Sequence, residues 1–202
     1  MKLYYSPGAC SLSPHIVLHE AGLAFTAEMA STKTHQLKDG TDYYSINPLG
    51  YVPLLVLDDG TQLSEGPAIV QYIADQAPDK QLAPANGSMA RYQLQSLLNF
   101  ISTELHKGFS PLFNPATPAD YKPAVTEKLL SRMAWIDGQL AGKPYLMGDT
   151  FTVADAYLFT VTGWGAYVKV DLSGFAHISA HRARVAARPA VQAALRAEGL
   201  LK

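Results

Sequence analysis

The sharpest constraint in this 202-residue sequence is a change of character between residues 78 and 87. Upstream, short alternating and β-rich runs are interleaved with helical spacings. Downstream of Pro84-Ala85-Asn86-Gly87, a linker by composition, no convincing strand occurs and every periodic segment repeats at helical spacing. One architecture cannot satisfy both halves. The expectation is therefore a mixed α/β domain over residues 1–78 and an all-helical domain over residues 88–202.

In the first part, Lys2-Leu3-Tyr4-Tyr5 reads as a short strand that runs into a turn at Ser6-Pro7-Gly8. A helix follows, with Ser11 or Ser13 as cap candidates, Pro14 in its first turn, Leu12, Ile16 and Val17 on its apolar side, and Gly22 as its stop. Phe25 to Met29 reads as a second strand, whereas Ser31 to Asp42 carries no usable period. Asn47-Pro48-Leu49-Gly50 is a turn, and Pro53-Leu54-Leu55-Val56-Leu57 a strand with its proline at the first residue. Asp58-Asp59-Gly60 closes a hairpin onto Gln62-Leu63-Ser64. Glu65-Gly66-Pro67 then opens a helix with Ile69, Val70 and Ile73 inward. Strand-helix-strand, an irregular link, then hairpin and helix describe a small mixed sheet with helices packed on it.

Cys10, the only cysteine, falls where the first helix begins. Unpaired N–H groups and the positive dipole end there stabilise a thiolate, which is the setting of a reactive or substrate-facing thiol. A buried cysteine acting as a small hydrophobe is the alternative.

In the second part, Leu94, Leu97, Leu98, Ile101 and Leu105 mark one long helix, on which Asn99, Thr103 and His106 share a polar arc opposite the leucine stripe at about 100° per residue. That arc either faces a cleft or is simply solvated. Val125, Leu129, Met133, Ile136 and Leu140 mark another helix, entered through Thr117-Pro118. Thr152 and Asp155 have the spacing of a capping box at the start of a third, and the uncharged run Ala156 to Val168 is a buried helix, too short for the roughly twenty residues a bilayer requires. A terminal helix follows Arg188-Pro189.

A net charge of −1 and the lack of a basic block argue against nucleic acid or an anionic membrane as partner. One cysteine cannot form an internal disulfide, and the opening residues have no signal-peptide core, so a reducing, cytoplasmic setting is expected. His15/His19 and His177/His181 repeat a four-residue spacing, yet neither pair has an evident third ligand, and no metal site is expected. Neither a phosphate loop nor a serine elbow is present, so no nucleotide cofactor is implied.

Several stretches in order carry a resemblance: Pro7-Gly8-Ala9-Cys10-Ser11, Tyr51-Val52-Pro53, Ser64-Glu65-Gly66-Pro67-Ala68-Ile69, Asn99, Thr103-Glu104-Leu105-His106-Lys107 and Phe151-Thr152-Val153-Ala154-Asp155-Ala156-Tyr157. Together they make the chain similar to bacterial glutathione S-transferases of the beta class. The resemblance implies a thioredoxin-like first domain, a helical second domain, a homodimer, and glutathione as co-substrate with no other cofactor. It further implies that Val52 pairs main chain to main chain with the cysteinyl part of glutathione and that Pro53 is cis. Glu65 and the N–H of Gly66 would take the γ-glutamyl end. Cys10 would lie beside the glutathione sulfur with Ser11 next to it, and Asn99, Thr103, Glu104, Leu105, His106 and Lys107 would contribute from the helical domain, some across the dimer. Cys10 and His106 are the expected catalytic pair.

Two positions depart from the family pattern. His35 stands where a lysine is common and Gly66 where a serine is common. A histidine that is neutral near pH 7 is a weaker clamp on the glycyl carboxylate than a lysine, and Gly66 loses a hydroxyl but keeps its backbone N–H.

The expected reaction is attack of the glutathione thiolate on a small hydrophobic electrophile, with Phe109, Leu112, Phe113, Trp164 and Tyr167 as the apolar wall. The alternatives are thiol-disulfide exchange or reductive dehalogenation through Cys10, for which Ser13 supplies no resolving thiol, and a non-enzymatic binding protein of the same fold.

Overall fold

The computed structural model describes residues 1–201. Two units result. One comprises Met1–Ala83 together with the segment from Arg188 onward, and the other is Pro84–Ala187. The terminal helix, read from sequence as part of the helical domain, thus belongs to the first unit. Its apolar side explains why: Val191 and Ala194 are buried, and the helix packs along the first one.

The first unit is built on four strands, β1 (Lys2–Tyr5), β2 (Thr26–Met29), β3 (Leu54–Val56) and β4 (Gln62–Ser64), in the order β2-β1-β3-β4. β1 pairs parallel with β2 and antiparallel with β3, and β3 pairs antiparallel with β4. Strand alternation divides the residues between two faces. Tyr4 and Leu54, opposite each other, join Ala30, Leu37, Tyr43 and Val52 in a buried cluster. Leu3 and Leu55, also opposite each other, are buried on the other face. Helices α1 (Leu12–Ala21) and α2 (Gly66–Asp75) pack against one another, and α9 (Pro189–Ala197) lies on α1. Gly22 ends α1 at φ 65°, the left-handed conformation that glycine adopts without a Cβ penalty.

The second unit contains α3 (Met89–Phe100), α4 (Lys107–Phe113), α5 (Lys122–Gln139), α6 (Val153–Thr162), α7 (Gly165–Val168) and α8 (Ala176–Ala186). Three readings from sequence change here. The long helix through Leu94 and Leu105 is not α-helical throughout, because Ile101–His106 is a π-helical segment between α3 and α4. The helix expected after Pro118 starts at Lys122, with Pro123 in its first turn. Pro118 instead accepts the Tyr121 N–H at 3.1 Å and closes a turn. The apolar run from Ala156 is two helices, broken at Gly163-Trp164. Every residue of α6 is buried, as a helix without a polar face requires. The expected capping arrangement is present: Asp155 Oδ2 accepts the Thr152 N–H at 2.8 Å and the Thr152 hydroxyl at 3.0 Å. Among the described residues no helix is long and apolar enough to cross a membrane.

Candidate functional site

The sequence-predicted site residues fall into two groups, one in each unit. In the first unit, β1 delivers the chain to a turn that its own groups close. Ser11 Oγ accepts the Ser6 N–H at 3.1 Å and donates to the Ser6 carbonyl at 3.2 Å, while Ala9 N–H donates to Ser6 O at 3.0 Å. Gly8 adopts φ 70°, and its N–H donates to Glu198 Oε2 at 2.9 Å. Cys10 stands two residues ahead of α1, so the helix dipole acts on it less directly than the sequence suggested. A second partner fixes the thiol: Sγ donates to the Val52 carbonyl at 3.2 Å. A carbonyl acceptor favours the protonated sulfur, since only the thiol has a proton to give.

Val52 therefore borders Cys10, and the Val52–Pro53 bond is cis, as the resemblance implies. Tyr51 O, one residue earlier, accepts from the Tyr43 hydroxyl at 3.0 Å and the Asn47 amide at 2.8 Å, which hold this segment from behind. Burial pushes the Tyr43 phenol up to about 12, so it stays a donor. Glu65 occupies the N-cap position of α2 at φ 66°, ψ 111°, a region costly for a residue with a Cβ, and its side chain makes no cap bond and is exposed. The start of α2 beyond it is open, and a Cβ at Gly66 would meet nothing within 4 Å, so the serine common at that position is not sterically excluded. His35, at φ 53°, faces away from solvent in part: its Nδ1 lies 3.2 Å from Gly50 O and its ring packs on Tyr44 at 4.6 Å between centroids.

Beneath this turn is a cluster that sequence reading missed. His15 Nδ1 is 2.8 Å from Glu198 Oε1, both side chains being fully buried. His15 also stacks on His19 at 5.3 Å, with Phe25 set edge-on to both rings. Burial, and secondarily His15, holds the His19 pKa below the usual range. The four-residue His15/His19 spacing is thus that of a packed pair tied to a carboxylate. Glu198 had no local signal, because its partners lie 183 and 190 residues away.

In the second unit the expected polar arc splits. Asn99 and Thr103 are exposed, and the Thr103 hydroxyl donates back to Asn99 O at 2.9 Å. Glu104 is bonded by Arg132 Nε at 2.8 Å, which holds its carboxyl below the usual range. Leu105 is core, and Lys107 is exposed. His106 turns inward instead. Bonds in a π-helix reach one residue further than in an α-helix, so the 100° increment that placed His106 with Asn99 does not hold across Ile101–His106. His106 Nδ1 lies 2.7 Å from the Tyr157 hydroxyl, and its ring meets Trp164 edge-on at 4.8 Å. Desolvation, with a smaller contribution from Lys107, lowers its pKa to about 4, so the imidazole is neutral at pH 7.

Trp164 is the centre of the aromatic group: besides His106, it meets Phe109 and Phe113 edge-on, each at 5.8 Å. Phe109 is completely buried and supports Trp164 from behind, whereas Phe113 is 48% and Tyr167 67% exposed, with Leu112 half-buried. Tyr157 is the last residue of the Phe151–Tyr157 motif. A tyrosine inside an otherwise apolar buried run requires a partner for its hydroxyl, and that signal could have singled it out. His181, of the other histidine pair, bonds Asp155, while His177 is exposed.

This arrangement coincides with independent similarity. Residues 8–76 match a family model for the glutathione S-transferase N-terminal domain and residues 100–189 one for the C-terminal domain. Glutathione S-transferase GstA of Escherichia coli O157:H7 is 50% identical over 200 residues, covering 99% of this chain and all of that one. A ternary complex of BphK, a bacterial GST, is 60% identical with a TM-score of 0.97, covering 99% of this chain and 100% of that one. A beta-class enzyme from Sphingomonas chungbukensis is 46% identical with a TM-score of 0.95, and coverage is complete on both sides. With sequence, fold and both domain models in agreement along its length, the chain belongs to the glutathione S-transferase family, among its bacterial beta-class members.

Proposed function

We propose that the chain binds glutathione through the first unit and directs its thiolate onto a small, largely apolar electrophile. The observation that carries this reading is Glu65, an exposed carboxylate held at a strained φ of 66° beside the open start of α2. Strain of this kind persists where the surroundings impose it. A carboxylate and a helix-start N–H side by side match an ammonium and a carboxylate on one carbon, which is the γ-glutamyl end of the tripeptide. Val52 offers its backbone to the cysteinyl part, Cys10 and Ser11 border the sulfur, and His35 lies towards the glycyl end. In the second unit, Asn99, Thr103, Glu104, Leu105, His106 and Lys107 are the further residues proposed for glutathione, with Leu112, Phe113, Trp164 and Tyr167 as apolar surface for the electrophile and Phe109 behind Trp164. The test is titration calorimetry with glutathione: Glu65→Ala should lose binding while its unfolding midpoint stays near wild type. Wild-type affinity in that variant sinks the assignment.

One observation favours a second reaction at the same place. Cys10 Sγ lies 3.2 Å from the Val52 carbonyl, beside the backbone assigned to the glutathione cysteine. Its thiolate can attack the glutathione sulfur of a mixed disulfide between glutathione and a substrate thiol, forming a Cys10–glutathione disulfide and releasing the substrate thiolate. A glutathione thiolate then attacks that disulfide, restoring the Cys10 thiolate and yielding oxidised glutathione, so that the substrate is reduced by two electrons and two glutathione units are oxidised. Intact-mass measurement after incubation with oxidised glutathione should show one glutathione adduct on wild type and none on Cys10→Ala. No adduct on wild type removes this reaction.

The assembly proposed is a homodimer. Leu49 and Tyr51 in the first unit and Met89 and Tyr92 on α3 expose large apolar side chains. Sedimentation velocity showing only monomer at micromolar concentration contradicts it.

A further inference from the structure

We infer that Tyr157 is a positioning residue for His106, fixing the imidazole with its proton on Nε2 so that the histidine presents an N–H donor. The inference rests on the conjugation reading above for its functional meaning, and on geometry for its content. The Tyr157 oxygen lies 2.7 Å from His106 Nδ1, a short bond between a phenol and a ring nitrogen. The bond has two possible directions. A phenol is the stronger donor of the two groups and an imidazole nitrogen the stronger acceptor, because the phenolic lone pair is drawn into its ring. The favoured arrangement therefore has Tyr157 donating to Nδ1, which leaves the single proton of neutral imidazole on Nε2.

The surroundings hold both rings in this relation. Tyr157 is 2% exposed within α6, a helix buried on every side. Trp164 meets His106 edge-on at 4.8 Å and is in turn held by Phe109 and Phe113. The π-helical segment that ends at His106 sets the ring at this depth. His106 Nε2 makes no hydrogen bond among the described residues, so the proton assigned to it is not spent within the chain. Desolvation keeps the ring neutral at pH 7, consistent with a donor and not with an imidazolium. A donor N–H stabilises negative charge on a sulfur or on an electrophile that accepts it. It does not remove a proton from a thiol, and that distinguishes this role from general base catalysis.

The test is the tautomer itself, read by long-range proton–nitrogen correlation on protein carrying nitrogen-15 in its histidines at pH 7. The His106 signals are assigned by their loss in His106→Asn. Wild type should show His106 in a single form protonated at Nε2, and Tyr157→Phe should show it exchanging between both forms. In parallel, Tyr157→Phe should lower kcat roughly tenfold or more with KM for glutathione within about twofold, because loss of a tautomer-setting partner acts on turnover and not on binding. A wild-type proton on Nδ1 overturns the inference, as does an unchanged tautomer in Tyr157→Phe or an unchanged kcat in a variant whose tautomer has shifted. The spectra need no turnover. A protein that conjugates no electrophile yet shows the Nε2 form and its loss defeats the conjugation reading and not the tautomer assignment.

Discussion

Each unit contains a fully buried histidine bonded to a fully buried carboxylate, and the two pairs differ in reach. His181 Nε2 meets Asp155 Oδ1 at 3.0 Å, and the same carboxylate takes the N–H groups of Leu146 and Thr152 at 2.8 Å. All partners lie within 26 residues, and they secure the start of α6. His15 Nδ1 meets Glu198 Oε1 at 2.8 Å, and the other oxygen takes the Gly8 N–H across 190 residues. This pair fastens the turn before Cys10 to the far end of the chain. The same chemistry thus serves a helix in one unit and the candidate site in the other. A buried carboxylate can be spent locally, where it stabilises one element, or at long range, where it holds a turn that the far end of the chain reaches.

Removing the local pair should have the larger effect on stability. Asp155→Ala deletes an acceptor of two backbone N–H groups, one hydroxyl and one imidazole, all buried, and should cost about 4 kcal/mol, well beyond the ~1 kcal/mol of an exposed cap. Urea unfolding gives the number through the midpoint. A loss of only about 1 kcal/mol would mean that the bonds to Leu146 and His181 contribute nothing beyond the cap.

Glu198→Ala should cost somewhat less, about 3 kcal/mol, since it orphans one partly buried N–H and one buried imidazole. It should differ in kind as well, by weakening glutathione binding in the folded protein, because Gly8 loses the acceptor that holds its turn. Asp155→Ala has no such link. Equal glutathione affinities for Glu198→Ala and wild type would collapse the distinction between the two pairs into one of stability alone.

That distinction also decides what was legible in the sequence. Thr152 and Asp155 are three apart and carry the cap pattern, so a local rule finds them. The turn at Ser6-Pro7-Gly8, the Gly22 stop and the Asp58-Asp59-Gly60 hairpin were legible for the same reason: backbone geometry there is set by the residues themselves. Glu198 sits past the end of a terminal helix with no local partner, and only folding shows that it is buried. The π-helical segment was equally hidden. Ile101, Leu105 and Phe109 keep the four-residue spacing of an α-helix, so the apolar stripe is the same either way while the position of His106 is not.

His106 sharpens the comparison as a buried histidine whose partner is a phenol. Its folded pKa, about 4, is below the ordinary 6.5, so between those values the unfolded chain binds more protons than the native one. Stability from this group is complete above about pH 6.5 and is lost as pH falls towards 4, by on the order of 2 kcal/mol after allowance for solvent screening. His106→Asn should flatten the stability profile across that window, measured as urea midpoints at pH 7 and pH 4.5. An unchanged slope would show that the imidazole is not held neutral by its neighbours.

The smallest effect should come from Ser11, which braces the same turn as Glu198 from the other side. Its hydroxyl is buried and both accepts from Ser6 N and donates to Ser6 O, so Ser11→Ala leaves two backbone groups of a partly buried residue to find water, at about 1 kcal/mol. Global unfolding will register this weakly. Cys10, one residue away, should register it more clearly, because a turn free to open lets Sγ leave the Val52 carbonyl and meet solvent. The rate of Cys10 reaction with a neutral disulfide reagent, followed at fixed pH, should therefore rise in Ser11→Ala and rise further in Glu198→Ala. If Ser11→Ala reacts at the wild-type rate while Glu198→Ala does not, the long-range carboxylate and not the Ser11 hydroxyl is what keeps the turn closed over the thiol.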